Sequence, residues 1–174
     1  MDENLARLNR LYPNSRFVQI AKYDPNLWKD REYDSSFDNK ATITKWKSKP
    51  LNYEDAQALA DEGWRIGWIV PHGYIVVDID NKDSEYSQDK LERLLKKFEV
   101  AYSYNYTNKG IHILFRDDSD GIKSEARSKC ALNIEVDTRA NGTGYIILPT
   151  NDPHREWGKW NDICLLYTSP SPRD

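Results

Sequence analysis

The stretch that decides the fold is Gly73-Tyr74-Ile75-Val76-Val77-Asp78-Ile79-Asp80-Asn81, an apolar, β-branched run that ends in two aspartates. Because side chains alternate between the two faces of a strand, Asp78 and Asp80 point to the same side. The run is apolar on both faces until that end, which is typical of a covered, central strand. Two adjacent carboxylates repel each other unless a cation or hydrogen-bond donors lie between them. The stretch therefore predicts either a divalent-metal site or a strand end that turns out into solvent.

Bulk composition bounds the class of protein. A chain of 174 residues with 12% aromatic residues suits one folded domain, despite 30% charged residues. The net charge of -3 gives no general support for nucleic-acid binding, so any basic surface must be local. We find neither a signal peptide nor an apolar run near the ~20 residues that a membrane span needs. Cys130 and Cys164 lack a Cys-x-x-Cys partner, which argues against a zinc element and for a cytoplasmic protein.

Periodicity and capping residues predict the elements on either side of this stretch. Before it, we expect helices over 5–11 and 52–62 and strands over 17–23, 41–46 and 64–70. After it, we expect a helix over 83–98, a hairpin of strands 101–106 and 111–116, a polar connection over 121–129 that is helical if it is regular, and a second hairpin of strands 132–138 and 145–148. This order predicts an α+β fold, with a mixed or antiparallel sheet and helices packed on one face.

Three segments place polar groups near a strand end or a turn. Asp78 and Asp80 end one strand, His112 follows a hairpin turn, and Asp137 ends a later strand with Glu135 on its face. If these strands are neighbours, the carboxylates meet as two Mg²⁺ or Mn²⁺ ions require. A histidine on that face can donate to a phosphate oxygen, and Lys109 and Arg116 can add positive charge. Taken singly, each residue also has an ordinary structural or solvent-facing interpretation.

Three motifs, in order, carry a resemblance to a known family. They are Ile75-Val76-Val77-Asp78-Ile79-Asp80, then Lys109-Gly110-Ile111-His112-Ile113-Leu114-Phe115, then Val136-Asp137-Thr138-Arg139 followed by Gly144-Tyr145-Ile146-Ile147-Leu148-Pro149-Thr150. The chain resembles the N-terminal bifunctional primase–polymerase (prim-pol) domain of phage and plasmid replication proteins, in the archaeo-eukaryotic primase superfamily. The resemblance covers residues 40 to 160. Asp-x-Asp alone is weak, because metal-dependent glycosyltransferases also use it.

The resemblance implies an archaeo-eukaryotic primase-like fold, with a catalytic sheet like that of an RNA-recognition motif and an N-terminal α/β unit. It also implies template-directed nucleotidyl transfer, in which a primer is made or extended from NTP or dNTP on a single-stranded DNA template. By position, Asp78, Asp80 and Asp137 would bind two Mg²⁺ or Mn²⁺ ions, and His112 would bind the triphosphate. The same comparison implies that Lys109 and Gly110 line the approach to the phosphates, and that Arg139 assists.

The chain departs from the family pattern in several places. Many relatives have Ser where this chain has Gly110, so a hydroxyl contact is missing there unless Thr107 supplies it. Glu135 rivals Asp137 as the third metal ligand. The replicative helicase that usually follows this domain is missing from the chain. Residues 163–174 do not continue the pattern and resemble a non-native read-through, so we expect a C-terminally truncated catalytic domain over 1–162.

Two other functions are compatible with the sequence. A two-metal nuclease uses similar carboxylates and would degrade DNA without nucleotides. A non-catalytic single-stranded nucleic-acid-binding module would use Tyr102, Tyr104 and Tyr106, which share one strand face, as stacking platforms. The same three tyrosines would also suit a core or a cross-strand ladder.

Overall fold

The computed structural model of the chain describes residues 1–27, 42–43, 45–79, 84–117, 124–129 and 135–161. The chain divides into two compact units. The first comprises Met1–Ile69 and Tyr145–Arg155, and the second comprises Val70–Gly144 and Glu156–Asp174. Helices and antiparallel sheets together confirm the predicted α+β class. Within the described ranges, no helix is both long and apolar enough to cross a membrane.

The described residues of the first unit form α1 (Glu3–Leu11), β1 (Arg16–Ile20), a turn of 3-10 helix (Pro25–Leu27), α2 (Tyr53–Asp61), β2 (Arg65–Ile69) and β8 (Tyr145–Ile147). The strands pair as an antiparallel sheet in the order β1-β2-β8. Helix α2 begins at the cap that the sequence predicts, since Asn52 Oδ1 accepts from Asp55 N at 2.8 Å. Helix α1 also has an N-cap, because Asp2 Oδ1 accepts from Leu5 N at 2.8 Å. Helix α2 ends before Gly63, whose φ of +93° suits a glycine.

A buried charge network joins β2 to the segment that follows β8. Arg65 Nη1 lies 3.2 Å from Asp152 Oδ2, and both side chains are 1% exposed. Arg155 Nε contacts the same oxygen at 3.2 Å, while Arg65 Nε donates to the carbonyl oxygen of Ala21 at 2.7 Å. The carboxylate of Asp152 therefore compensates two guanidinium groups that would otherwise lie poorly solvated inside the unit.

Removing the charge of Asp152 tests this network. We expect Asp152→Asn to lower the free energy of unfolding by about 3–5 kcal/mol, because it leaves buried guanidinium charge uncompensated. Asp89→Asn is the matched control, since Asp89 pairs with Arg93 at 2.9 Å but is 57% exposed. We expect that control to change stability by less than about 1 kcal/mol. Urea unfolding followed by tryptophan fluorescence measures both, and equal effects would contradict the network's role.

The described residues of the second unit form β3 (Tyr74–Ile79), α3 (Ser84–Lys97), β4 (Tyr102–Tyr106), β5 (Ile111–Arg116), β6 (Glu125–Lys129), β7 (Glu135–Ala140) and β9 (Glu156–Lys159). The strands pair as an antiparallel sheet in the order β6-β7-β3-β5-β4-β9. Strand β3 is interior, between β7 and β5. The predicted central position of the opening stretch is therefore confirmed.

One face of this sheet forms the core of the unit together with α3. Ile75, Val77 and Ile79 of β3 all point into this core. The remaining buried members are Leu91, Leu95, Tyr102, Ile111, Ile113, Val136 and Ala140. Because side chains alternate, Val76 and Asp78 lie on the opposite face of β3, which we call the site face.

Several predicted elements are wrong in detail. The connection 121–129 contains strand β6 instead of a helix. Of the expected strand over 41–46, residues 41 and 44 lie outside the described residues, and Thr42 forms a bridge with Ile20. Strand β8 pairs with β2 instead of forming a hairpin with β7. The helical spacing from Leu91 predicts that Phe98 lies on the buried face of the helix over 83–98, but Phe98 follows the end of α3 and is 66% exposed.

The sequence reading missed strand β9, which covers the outer edge of β4. Gly158 permits this pairing, because a Cβ atom there would collide with the rings of Tyr104 and Tyr106. The tyrosine rings therefore lie across the backbone of β9 at the position where a side chain is missing.

Candidate functional site

The candidate site is a row of side chains that crosses the site face of the six-stranded sheet. In the register of the sheet, Asp78 lies directly opposite His112 on β5 and directly opposite Asp137 on β7. Directly paired residues point to the same face, so the three side chains are neighbours. The predicted meeting of these three segments is confirmed, while the chemical roles assigned to the residues stay predictions.

The imidazole of His112 is held against Asp78. His112 Nε2 lies 3.4 Å from Asp78 Oδ2. The His112 side chain is 6% exposed and that of Asp78 is 21% exposed. The site therefore combines a buried ring, whose orientation the sheet restricts, with a carboxylate that a ligand can reach from solvent.

The donor set suits a hard divalent cation. Like charges directly opposite each other destabilise a sheet, so the pair of Asp78 and Asp137 favours a compensating cation. Carboxylate oxygens are the ligands that Mg²⁺ and Mn²⁺ prefer. Among the described side chains, no group of three His, Cys, Asp or Glu residues is arranged to hold a metal ion. Asp80, the remaining predicted metal ligand, lies outside the described residues. The side chain of Glu135, the alternative to Asp137 as third ligand, is also outside what the structure describes.

The turn between β4 and β5 is closed by its own hydrogen bonds. Gly110 N donates to Thr107 Oγ1 at 3.0 Å, and Thr107 N donates to Gly110 O at 2.9 Å. The backbone N–H of Gly110, which we expected to line the approach to the phosphates, is thus committed to the turn. Thr107 Oγ1 accepts that bond and keeps its own O–H as a donor. Lys109 is exposed at the tip of the turn.

Two arginines share the site face. Arg139 lies two residues beyond Asp137 on β7, opposite Val76, and its Nη1 donates to the carbonyl oxygen of Thr138 at 2.9 Å. Arg116 lies opposite Tyr74, at the end of β5 away from the turn. Residues two apart on a strand are separated by about 6.5–7 Å, so Arg139 is the nearer of the two arginines to Asp78 and Asp137.

The row continues past His112 to a residue that the sequence reading missed. Asn105 on β4 lies directly opposite His112 and is 0% exposed, and Trp157 on β9 lies opposite Asn105. In the sequence, the tyrosines of Tyr102–Tyr106 are the more prominent residues. The alternation of side chains along the strand could have identified Asn105, because it places Ser103 and Asn105 on the face of His112.

The three tyrosines of β4 lie on the opposite face, toward α3. Tyr102 is 4% exposed and its hydroxyl donates to Glu92 Oε2 at 2.6 Å. Lys159 Nζ lies 3.8 Å from the centroid of the same ring. Tyr106, which packs edge-on against Tyr104, is 42% exposed. Tyr102 is therefore a core residue, and a stacking platform built on all three tyrosines is not supported.

These tyrosines predict a loss of stability in alkali. Burial and the hydrogen bond to Glu92 raise the pKa of Tyr102, and the hydrogen bond with Tyr106, together with burial, raises the pKa of Tyr104 to about 12. The folded protein keeps phenol protons that the unfolded chain releases. The contribution of Tyr102 and Tyr104 to the free energy of unfolding should therefore be constant below about pH 10 and should be lost as the pH rises toward 12.

Tyr106→Phe isolates the contribution of Tyr104. The variant removes the hydrogen bond that raises the pKa of Tyr104, so its stability should fall less steeply between pH 10 and 12 than that of the wild type. Urea unfolding followed by circular dichroism at a series of pH values measures this. Identical pH profiles would contradict the assignment.

The fold and the site define an α+β protein whose acidic and histidine side chains meet on the central strands of an antiparallel sheet. The family model of the bifunctional DNA primase/polymerase N-terminal domain, Prim-Pol, matches residues 19–172. The chain belongs to this family, which confirms the resemblance. The match runs past residue 162, and the domain boundary expected there stays a prediction. No curated protein is similar enough to the chain to count as a match.

Proposed function

We propose that the chain is the catalytic domain of a template-directed nucleotidyltransferase, a DNA primase/polymerase that synthesises or extends primers. Membership of the Prim-Pol family supports the class of activity. The observation that carries the proposal is the position of Asp78, directly opposite both His112 and Asp137 in the sheet. One row thus contains carboxylates for metal binding and an imidazole for phosphate binding.

The carboxylates have the first role in this proposal. Asp78, Asp80 and Asp137 would hold two Mg²⁺ or Mn²⁺ ions. When bound, such ions activate the attacking hydroxyl and neutralise negative charge on the phosphates and the leaving oxygen. Between Asp137 and Glu135, the direct pairing with Asp78 favours Asp137 as the third ligand.

His112 has the second role, which is to orient the triphosphate. Its ring is buried and restricted by the sheet, so little side-chain freedom is lost when a phosphate oxygen accepts a hydrogen bond from it. Such a bond to a charged oxygen is strong where water is excluded. Further hydrogen-bond donors to the nucleotide would come from Lys109 at the tip of the turn, the hydroxyl of Thr107 and the guanidinium of Arg139.

The partners follow from the proposed reaction. The substrates are a single-stranded DNA template and nucleoside triphosphates, either NTP or dNTP. A replicative helicase would act with the domain in phage or plasmid replication, in the cytoplasm of a bacterial cell or infected host.

Primer extension tests the proposal. With a labelled primer–template, nucleotides and Mg²⁺ or Mn²⁺, we expect Asp78→Asn and Asp137→Asn each to lower the rate by about 10³-fold or more, because metal ions contribute several kcal/mol of charge stabilisation. Glu135→Gln should have a smaller effect than Asp137→Asn. Asp89→Asn, on the exposed surface of α3, should extend primers like the wild type.

The same assay separates the alternatives. DNA degradation without nucleotides, lost in Asp78→Asn, would indicate a two-metal nuclease. Metal-independent DNA binding without any extension, unaffected by Asp78→Asn, would indicate a non-catalytic binding module. A His112→Ala variant that binds triphosphate as tightly as the wild type would remove the role assigned to His112.

A further inference from the structure

Asn105 is a completely buried polar residue next to the site. It is 0% exposed, and it lies on β4 directly opposite His112. Within the described part of the chain, neither its Oδ1 nor its Nδ2 has a hydrogen-bond partner. The same holds for Nδ1 of His112, whose other ring nitrogen faces Asp78. Two opposite residues in one row thus present unsatisfied polar atoms inside the protein.

This arrangement is costly for a purely structural position. An unsatisfied buried polar group costs about 1–3 kcal/mol. Asparagine is also disfavoured within strands, while an apolar side chain of similar size, such as leucine, would leave no polar atom unsatisfied at Asn105. A residue that lowers stability in this way, beside a proposed substrate-binding side chain, is best explained by a role in function.

The residues around Asn105 indicate which of them can form a hydrogen bond with its amide. On one side the row ends at Trp157, whose ring stacks on Trp160 with 3.8 Å between centroids. Two residues earlier on β4, Ser103 already accepts a hydrogen bond from Asn161 N at 2.9 Å. On the other side lies His112, with its Nδ1 unsatisfied.

The spacing allows these two side chains to be joined. Directly opposite residues in an antiparallel sheet have Cβ atoms about 4.5–5.5 Å apart. At that separation, a small rotation of the amide or one bridging water connects it to the ring. Either connection satisfies the buried Nδ1 and part of the amide.

We propose that Asn105 is a positioning residue for His112. Its amide Nδ2 donates to Nδ1, directly or through one water, and this bond fixes the ring orientation and leaves the ring proton on Nε2. Nε2 then stays directed toward Asp78 and the triphosphate. Asn105 acts only through His112, so this inference rests on the proposed function of the site for its effect on catalysis.

Asn105→Leu tests the proposal. Because the variant leaves the buried Nδ1 of His112 without its proposed partner, its thermal stability should fall moderately, as in other variants that remove one partner of a buried hydrogen bond. Its affinity for triphosphate should also fall, by about 10-fold to 100-fold, as for residues that orient a ligand-binding side chain. In primer extension the loss should be in KM for the nucleotide more than in kcat.

Ser103→Ala is the matched control, because Ser103 is buried on the same strand and the same face but belongs to the next row. It should lose stability, since Asn161 N–H loses its acceptor, and should keep the wild-type triphosphate affinity. In the His112→Ala background, Asn105→Leu should cause no further loss of affinity, because it has no ring left to position.

A spectroscopic readout does not depend on activity. The chain has three histidines, so ¹⁵N NMR of the ring nitrogens at one fixed pH can be assigned with His112→Ala. In the wild type, we expect His112 Nδ1 to show a hydrogen bond and one defined protonation pattern, which Asn105→Leu should convert into a mixture. This wild-type measurement decides the contact even if Asn105→Leu does not fold.

Three results would overturn the inference. They are a wild-type His112 with no hydrogen bond at Nδ1, a folded Asn105→Leu with unchanged triphosphate affinity, and additive effects of Asn105→Leu and His112→Ala. A wild-type chain that neither extends primers nor binds triphosphate would instead overturn the proposed function, and the NMR signature would still decide whether Asn105 holds His112.

Discussion

The site depends on one constraint, which is the register of β3 between β5 and β7. That register is fixed by the opposite face, where Ile75, Val77 and Ile79 are buried against α3. A slip of one residue would turn this apolar set toward the site face and Asp78 into the core. Hydrophobic burial on one side of the strand therefore sets the position of the carboxylate on the other, opposite both His112 and Asp137.

The site face carries polar groups that a purely structural sheet would avoid. Asp78 and Asp137 place like charges side by side, and Asn105 and His112 present buried atoms that lack partners among the described residues. Such polar groups lower the stability of the folded protein, and burial elsewhere in the second unit offsets this loss. In the proposed function, a bound metal and triphosphate would interact with this same row of side chains.

The sequence predicted the parts of the fold that local patterns determine. Strand β3, the β4–β5 hairpin and the cap at Asn52 follow from alternation, turn residues and capping. The meeting of Asp78, His112 and Asp137 depends on which strands are neighbours, and only the family resemblance implied it. The edge strands β6 and β9 are polar and short, so only their pairing partners make them strands. The transfer of β8 to the other sheet depends on tertiary context, and the burial of Asn105 depends on the strands around it.

The central claim is that Asp78, Asp137 and His112 form one nucleotide-binding centre. The most direct test is a crystal structure of the chain with Mn²⁺ and a non-hydrolysable nucleoside triphosphate, using the anomalous signal of manganese. We expect manganese at the carboxylates of Asp78 and Asp137, with a phosphate oxygen within hydrogen-bonding distance of His112. Manganese or triphosphate bound away from this row, with these three side chains uncontacted, would contradict it.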